Sequence, residues 1–600
     1  MNNPTTPGIF HQPDEPDLTT KWRHLWPHPD NQRVIRKTLG ALLDDYYQWH
    51  ARWQPSSMAT SPADDSLLQR SVILLRELSQ RLQADSIPWH ASEYLAHINT
   101  DVLLPTELAY FATMLYNPNN VTPEASPVTT SLEYELSDDF CSLFGFNPEH
   151  GWAHLTSGGH AANYEGMWIA RNLKCIPLAI AEMPELAGLL EDSDLDRLCN
   201  LPPACIAQLL TQAAEQGQLD PLLAHARTLH LHPSLAAGRI LVAHGRHYAW
   251  DKCADLLGLT LEPIEVDASM RIDVEHLRRR LFAHLQAAHP IVAVVATVGS
   301  SGEGSVDEIH RIVALRQECE QRFGASFFLH VDAASGGYYR SLLLSPTKGD
   351  DTSFASTISD QSATAKLKPE VAEALRALNC VDTVTVDPHK CGYVPYPAGS
   401  LAIRDRRFSW VIASQSKYFG QAQCGHMDFG PYTLEGTRPG AAAAAVWTAH
   451  RLLGLNRDGY GALLSGNLST ALRLHHAFNA LPPISIDGYA HRFQSIYGPD
   501  LSIINFCVRP IERVGSAEQR ITLLSERIIG SPQQRHARTE NLPWFSRNRI
   551  ALQQIMSDDN NSACETTVVR CCVMKPVTNE QFPEFWRNSL KKILGRVKGK

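Results

Sequence analysis

The sequence predicts an α/β fold built on a mostly parallel β-sheet, with a smaller part on either side of it along the chain. Two features of residues 151–438 favour this class: short runs of β-branched and apolar residues, and helix-forming stretches between them. Strands buried on both faces have near-continuous apolar sequences, and strands that alternate with helices form parallel sheets. The clearest strand candidates are Arg239–Ala243, Ile291–Ala296, Phe327–Val331 and Thr383–Val386.

The regions on either side of residues 151–438 have a different sequence pattern. Residues 1–150 begin with a Pro-rich arm and continue as helical stretches, such as 66–82, without an alternating pattern. In residues 439–600, a helical block over 441–455 leads into a smaller α+β domain. The Ser/Thr/Asp-rich stretch 345–362 is typical of a surface insertion. We therefore expect a large central domain, an N-terminal arm with a helical segment, and a small C-terminal domain.

Composition excludes several classes of function. The 600 residues include 54 Lys+Arg and 63 Asp+Glu, a net charge of −9, which is not the footprint of a nucleic-acid-binding protein. No secretory signal precedes the first domain, and no apolar run approaches the roughly 18 residues that a membrane span requires. The 13 Cys are scattered without a paired C-x-x-C zinc arrangement. These features predict a cytoplasmic protein with no metal site and no membrane or nucleic-acid partner.

Polar residues follow all four candidate strands. His244 and His247 follow the first, Thr297 the second and Asp332 ends the third, while residues 387–390 (Asp-Pro-His-Lys) follow the fourth. Because ligands bind beyond the carboxyl ends of parallel strands, these side chains are expected to surround one site.

Lys390 is the candidate nucleophile. A lysine amine can attack a carbonyl group if burial or a nearby cation lowers its pKa. Most lysines lie on the surface and do no chemistry. Here the preceding Asp387 and His389 and the apolar, aromatic flank 391–396 are unusual for an exposed turn, which favours the nucleophile.

The small residues of 155–165 (LTSGGHAANYE) lead directly into a helix-forming stretch. Free N–H groups at a helix N-terminus bind phosphate, and glycines let the anion approach closely. The same pattern also fits a simple N-cap and turn. It is neither a Walker A loop nor a G-x-G-x-x-G fingerprint.

Asp332 and His247 complete the set. A carboxylate at the end of a strand can keep a ring nitrogen protonated, although an N-cap aspartate is an equally good interpretation. Ala334 leaves room for a flat ligand, and His247 could stack on it or be a structural histidine. A phosphate cradle, a stacking histidine, a carboxylate and an amine together predict pyridoxal phosphate (PLP).

With these residues, the chain resembles the group II PLP-dependent amino-acid decarboxylases, and among them most closely the bacterial tyrosine decarboxylases. The resemblance extends from about Tyr94 to about Pro576, and it implies a fold-type I PLP-dependent enzyme. Its motifs occur in the family's order: Leu115–Glu124, Ser157–Glu165, His330–Gly337, Asp387–Tyr396 and Leu434–Gly440.

The resemblance implies a role for each position. Lys390 would bind PLP covalently, Asp332 would pair with the pyridine nitrogen, and His247 would stack on the ring. Tyr418 would be the mobile-loop tyrosine that protonates the substrate carbon, an interpretation favoured over that of an ordinary aromatic residue in a surface loop. The other cofactor contacts would be Ser157, Gly159, His160, Asn163, Thr297, Ala334, His389 and Thr437. The substrate contacts would be His97 and Tyr396, although a buried, hydrogen-bonded histidine is an alternative interpretation of His97.

The resemblance also implies the reaction, decarboxylation of an L-amino acid by a homodimer whose active sites are shared between subunits. It further implies that the helical segment within residues 1–150 is a dimerisation segment that covers the partner. An aromatic substrate such as tyrosine is expected. Ser335 replaces the family's usual aromatic residue, and Ala249 stands where serine is common, so aliphatic substrates remain open. Two further functions are open as well: a PLP-dependent aldehyde synthase, which Tyr418 argues against, and a cofactor-free scaffold, which would have no need of Lys390.

Overall fold

The computed structural model describes residues 25–53, 65–91, 94–191, 194–236, 238–346, 367–414, 428–512, 516–530, 545–556, 564–577 and 581–598. The loop tyrosine Tyr418 and residues 347–362 of the expected surface insertion lie outside these ranges.

Helices form the N-terminal region. The sequence pattern predicted a helix over 66–82, and one spans Asp65–Asp85. The helices are α1 (Gln32–Ala51), α2 (Asp65–Asp85), α3 (Leu104–Met114) and α4 (Pro127–Phe144). Helix α4 ends at Gly145, whose φ of 74° is the left-handed conformation that favours glycine at this position.

A mixed sheet and its surrounding helices form the central region. The strands are β1 (Trp152–Thr156), β2 (Arg239–Ala243), β3 (Thr260–Ile264), β4 (Ile291–Thr297), β5 (Phe328–Asp332), β6 (Thr383–Val386) and β7 (Gly399–Ile403). The helices are α5 (Gly159–Glu182), α6 (Leu195–Leu198), α7 (Pro203–Glu215), α8 (Leu219–Ala226), α9 (Ala249–Leu257), α10 (Val274–Gln286), α11 (Ile309–Phe323) and α12 (Pro369–Arg376).

The strand order in this sheet is β1-β7-β6-β5-β4-β2-β3. Strands β3, β2, β4, β5 and β6 are parallel neighbours, whereas β7 runs antiparallel to both β6 and β1. All four strand candidates from the sequence are strands here, so the prediction of a mostly parallel α/β sheet is confirmed. Their carboxyl ends meet along one edge, as parallel pairing requires.

Alternate residues of each strand face opposite sides of the sheet. In β2, Leu241 belongs to one hydrophobic core, whereas Ile240 and Val242 belong to the core on the other face. Helix α5 packs on the second face, where Ile169, Leu173 and neighbouring residues of this helix are fully buried. Two cores cover the sheet, which explains why its strands have nearly continuous apolar sequences.

A second sheet lies near the C-terminus. Helices α13 (Phe429–Tyr432), α14 (Gly440–Leu453) and α15 (Tyr460–Asn479) precede it. Its order is β11-β12-β10-β9-β8, with every pairing antiparallel. The elements are β8 (Ile484–Ile486), β9 (Tyr489–Ser495), β10 (Ile503–Pro510), α16 (Ala517–Ile529), β11 (Ser546–Ala551), β12 (Glu565–Cys572) and α17 (Phe582–Val597). Among the described residues, no helix is both long and apolar enough to span a bilayer.

Candidate active site

A cavity of about 350 Å³ opens at the carboxyl ends of β2, β4, β5 and β6. It lies where the sequence placed its polar strand ends, and the start of α5 forms part of its wall. The predicted site residues that line it are Ser157, Gly159, His160, Asn163, His247, Thr297, Asp332, Ala334, His389 and Lys390.

Lys390 extends into this cavity from the turn after β6. Its Nζ lies 2.8 Å from Oδ2 of Asp387, a buried carboxylate three residues earlier. Burial disfavours the charged amine, but Asp387 and Asp332 outweigh burial and raise the pKa of Lys390 above its ordinary value. The lowered pKa that was expected of a nucleophilic lysine is therefore absent. Lys390 instead lies as an ammonium ion in contact with Asp387.

His389 lies beside the same carboxylate. Its Nε2 is 3.5 Å from Oδ2 of Asp387, and its Nδ1 donates to the carbonyl oxygen of Ala398 at 2.6 Å. Burial lowers the pKa of His389. The His389 ring also contacts the Tyr396 ring, with centroids 4.3 Å apart. His389 thus connects the lysine turn to Tyr396, which is 55% exposed and lies outside the lining of the cavity.

Asp332 is buried at the end of β5. Its Oδ2 accepts a hydrogen bond from Nδ2 of Asn163 at 2.9 Å, and its Oδ1 accepts one from the Ala334 backbone N–H at 3.2 Å. The sequence grouped Asn163 with the phosphate-side segment, but its side-chain amide is engaged by Asp332. Residue 163 is one helical turn beyond Gly159 on the same face of α5, and this position lies over β5 instead of at the start of the helix.

The start of α5 is shaped to receive a ligand. The N-cap is Gly158, and no side chain caps the first turn of the helix. A Cβ on Gly159 would lie 3.0 Å and 3.2 Å from the two carboxylate oxygens of Asp387, so only glycine leaves this approach open. The backbone N–H of Ser157 donates to Glu435 at 2.8 Å. Glu435 was not predicted from the sequence, because its contact joins residues far apart in the chain.

Two histidines form another wall of the cavity. The His160 and His247 rings have centroids 5.2 Å apart, and Tyr248 packs against both. Burial lowers the pKa of each histidine, and Lys390 lowers both further. Both rings are therefore disposed to be neutral, which suits packing against an aromatic ring.

Thr297 is held in place by a buried carboxylate that was not predicted from the sequence. Asp307 accepts hydrogen bonds at 2.7 Å from the backbone N–H groups of Thr297 and Ile272. Burial raises the pKa of Asp307 to about 7. The sequence did hold a signal for Asp307. This carboxylate lies in the G-E-G-S-V-D stretch after β4, the strand next to the one that ends at Asp332.

The remaining predicted residues lie apart from the cavity. His97 is exposed, and its ring contacts Tyr94. Thr437 is also exposed, in a turn whose neighbour Arg438 is buried and paired with Glu133. Neither lines the cavity within this chain, and Tyr418 is outside the described residues.

The cavity suits PLP on three counts. The start of α5 presents uncapped N–H groups to a phosphate, and the buried Nε2 of His160 has no hydrogen-bond partner among the described residues. A carboxylate and a lysine, the two groups that a pyridinium aldehyde requires, both reach the cavity. Oδ1 of Asp387 is likewise buried without a partner in the described part of the chain, so the site still has a free acceptor.

Comparison with known proteins also indicates a PLP-dependent enzyme. Residues 199–352 match the pyridoxal-dependent decarboxylase conserved domain. The chain is 35% identical over 517 residues to the L-tyrosine decarboxylase of Levilactobacillus brevis, covering 82% of this chain and 80% of that protein. It is 34% identical over 502 residues to the L-tyrosine decarboxylase of Enterococcus faecalis, covering 80% and 78%.

The fold also matches a solved structure. The Catharanthus roseus tryptophan decarboxylase in complex with L-tryptophan superimposes with a TM-score of 0.60 at 13% identity, covering 95% of this chain and 99% of that one. Fold and cavity together define a PLP-dependent enzyme of fold type I. The chain belongs to the PLP-dependent amino-acid decarboxylases, the family that includes the bacterial L-tyrosine decarboxylases.

Proposed function

We propose that this enzyme decarboxylates an aromatic L-amino acid, with L-tyrosine as its substrate. The observation that carries the proposal is the cavity in which Lys390, Asp332 and His247 meet at the strand ends. The choice of tyrosine is supported by the two bacterial relatives, which are L-tyrosine decarboxylases at 34% and 35% identity. Ser335, a small side chain, forms part of the cavity wall.

In this proposal the chain holds the cofactor at four points. The N–H groups around Gly159 bind the phosphate, His247 packs on the ring, Asp332 pairs with the ring nitrogen, and Lys390 makes the covalent link. When bound, PLP supplies an electron sink that stabilises the charge left on the substrate Cα as CO₂ departs.

The protein residues orient the reactants and manage protons. Asp387 orients the amine of Lys390 in the cavity through the 2.8 Å contact. His389 and Tyr396 position the lysine turn and the substrate side of the cavity. Tyr418 donates the proton that replaces CO₂ at Cα, and because proton donation prevails over reaction with oxygen, the product is an amine.

The proposal includes a homodimer located in the cytoplasm. Helix α2 exposes a band of large apolar side chains, among them Leu67 at 69%, Leu75 at 64% and Leu78 at 52%. An exposed apolar band of this length indicates an interface. In the dimer, this N-terminal region covers the partner, and Thr437, His97 and the Tyr418 loop serve the partner's active site. The proposed division is an arm to residue 150, a cofactor domain over 151–438 and a small domain over 439–600.

A panel of L-amino acids tests the substrate. The purified, PLP-loaded enzyme is assayed for CO₂, amine, ammonia and peroxide with tyrosine, phenylalanine, tryptophan, aspartate, glutamate and leucine. We expect the highest kcat/KM with tyrosine and one amine for each CO₂. A preference for aspartate or leucine would contradict the aromatic assignment. Stoichiometric ammonia and peroxide would identify an aldehyde synthase instead.

A further inference from the structure

A chain of hydrogen bonds runs from Asp332 through Asn163, which lines the cavity, to His330 and Thr383, which do not line it. Asn163 donates to Asp332 at 2.9 Å, and Oδ1 of the same Asn163 lies 3.0 Å from Nε2 of His330. On the far side of the imidazole, Nδ1 of His330 lies 2.8 Å from Oγ1 of Thr383. Asn163, His330 and Thr383 are all buried, with exposed fractions of 2%, 0% and 0%. We call these three residues the relay.

The chemistry of the groups fixes the direction of every proton in the relay. A carboxylate only accepts, so Asn163 must present its NH₂ to Asp332 and its oxygen to His330. The oxygen of Asn163 also only accepts, so Nε2 of His330 must carry a hydrogen. Burial lowers the pKa of His330 to about 3, so the ring is neutral and has a single N–H. Nδ1 is therefore the acceptor, and the Thr383 hydroxyl donates to it.

Helix α5 is shaped to admit this imidazole. A Cβ on Gly166 would lie 2.8 Å from Nδ1 and 2.9 Å from Cε1 of His330. Glycine weakens a helix interior by about 1 kcal/mol relative to alanine. Its presence at the helical position that faces His330 is a second observation, independent of the hydrogen bonds, that the ring has a required place.

We propose that the relay aims the Asp332 carboxylate into the cavity and thereby sets the protonation of the ring nitrogen of bound PLP. All three hydrogen bonds are donated toward Asp332, so their dipoles align to stabilise its negative charge. The relay residues are positioning residues, because they act through Asp332 and not on the cofactor. The inference rests on the proposed pairing of Asp332 with the ring nitrogen.

Two variants test the relay. Asn163→Asp removes the hydrogen bond that Asn163 donates to Asp332 and places a second carboxylate beside it, so that like charges repel there. Thr383→Val removes the hydroxyl donor at nearly constant volume. Thr385→Val is the matched control, because Thr385 is equally buried on the same strand. Its Oγ1 is 3.5 Å from Nε2 of His330. Since Nε2 carries the hydrogen of the ring, the Thr385 hydroxyl cannot donate to it as Thr383 donates to Nδ1.

The measurements are the dissociation constant for PLP and the ring-nitrogen chemical shift of ¹⁵N-labelled PLP between pH 5 and 9. For Asn163→Asp we expect PLP binding at least about tenfold weaker and a ring nitrogen that loses its proton within this range. Thr383→Val should show a smaller change in the same direction. The wild type and Thr385→Val should keep the nitrogen protonated throughout. Melting of the apoproteins identifies a variant that simply fails to fold, and His330→Asn then replaces that variant.

The outcomes separate the two proposals. If Asp332→Asn loses the protonated nitrogen but Asn163→Asp and Thr383→Val retain it, the relay inference is overturned while the role of Asp332 stands. If Asp332→Asn itself binds PLP with a protonated nitrogen, the proposed pairing fails and the relay inference fails with it.

Discussion

At the scale of single residues, carboxylates control the charge of the cavity. Asp387 lies between Lys390 and His389, while Asp332 is oriented by Asn163 and the backbone of Ala334. Asp307 holds the end of β4 through the backbone N–H of Thr297 and also accepts from the backbone N–H of Ile272. Each carboxylate acts through a different neighbour, so replacement of any one should change a distinct property of the site.

A buried lysine outside the cavity makes stability depend on pH. Lys174 is 2% exposed on α5, and its Nζ has no hydrogen-bond partner among the described residues. Burial lowers the pKa of Lys174 to about 8 from an ordinary value of 10.5. The difference between these two pKa values corresponds to about 3 kcal/mol, which is the cost in folding free energy of keeping a buried ammonium ion at neutral pH.

The sign follows from proton binding. Between pH 8 and about 10.5, the unfolded chain retains the lysine proton that the folded protein has lost, so the free energy of unfolding rises with pH over this range. We expect Lys174→Met to raise this free energy by about 3 kcal/mol at pH 7 and to remove the rise. Urea unfolding at pH 7, 8.5 and 10 measures both the gain in free energy at pH 7 and the loss of its rise with pH. Lys591→Met, on the exposed face of α17, is the control. Parallel curves for wild type and Lys174→Met would contradict the account.

At the scale of elements, local pattern predicted the sheet well. Strands β2 and β6 have the predicted bounds, and β4 and β5 differ from prediction by one residue at their ends. Their buried, β-branched sequences are a local signal. Strand β7 was not predicted, because Gly399 and Ser400 weaken its pattern and its place beside β1 depends on long-range packing.

The sequence could predict which residues come together at the site, but not which of them contact each other. Strand ends identified Lys390, Asp332 and His247 because parallel topology brings them to one edge. The partner of Asn163 was not predictable, because it depends on how α5 packs against β5. His330 was within reach of prediction, since residue 330 lies two positions before Asp332 and so faces the same side of the strand.

Helix α2 carries a prediction about assembly. We expect the wild type to sediment as a dimer, because the apolar band of α2 is exposed in the single chain. Replacing Leu75 and Leu78 with Glu puts two charges into that band and should shift the protein toward monomers with reduced activity. Replacing the exposed Gln69 and Gln80 with Glu adds the same charge outside the apolar positions and should leave the dimer intact. A fully active wild-type monomer in sedimentation would overturn the dimer.

At the scale of the whole molecule, a buried charge cluster joins the C-terminal region to the cavity wall. Asp500 accepts hydrogen bonds from Arg271 at 2.7 Å and 2.9 Å, and from Lys368 at 2.7 Å. It also accepts one from the backbone N–H of Val306, next to Asp307. Removing one partner of a buried ion pair costs about 3–5 kcal/mol, so this cluster ties the small sheet firmly to the loop that supports Thr297.

The covalent role of Lys390 is the central claim of this account. Wild type, Lys390→Ala and a control, Lys252→Ala, are loaded with PLP, reduced with borohydride, unfolded, and examined by peptide mass. Lys252 is a suitable control because its Nζ lies 5.2 Å from the ring centroid of Tyr248, a residue of the cavity wall. CO₂ release from L-tyrosine is measured on unreduced samples. We predict that wild type and Lys252→Ala retain PLP on the peptide containing residue 390 and release CO₂, whereas Lys390→Ala does neither. A Lys390→Ala enzyme that still bound PLP covalently and still decarboxylated tyrosine would contradict the account.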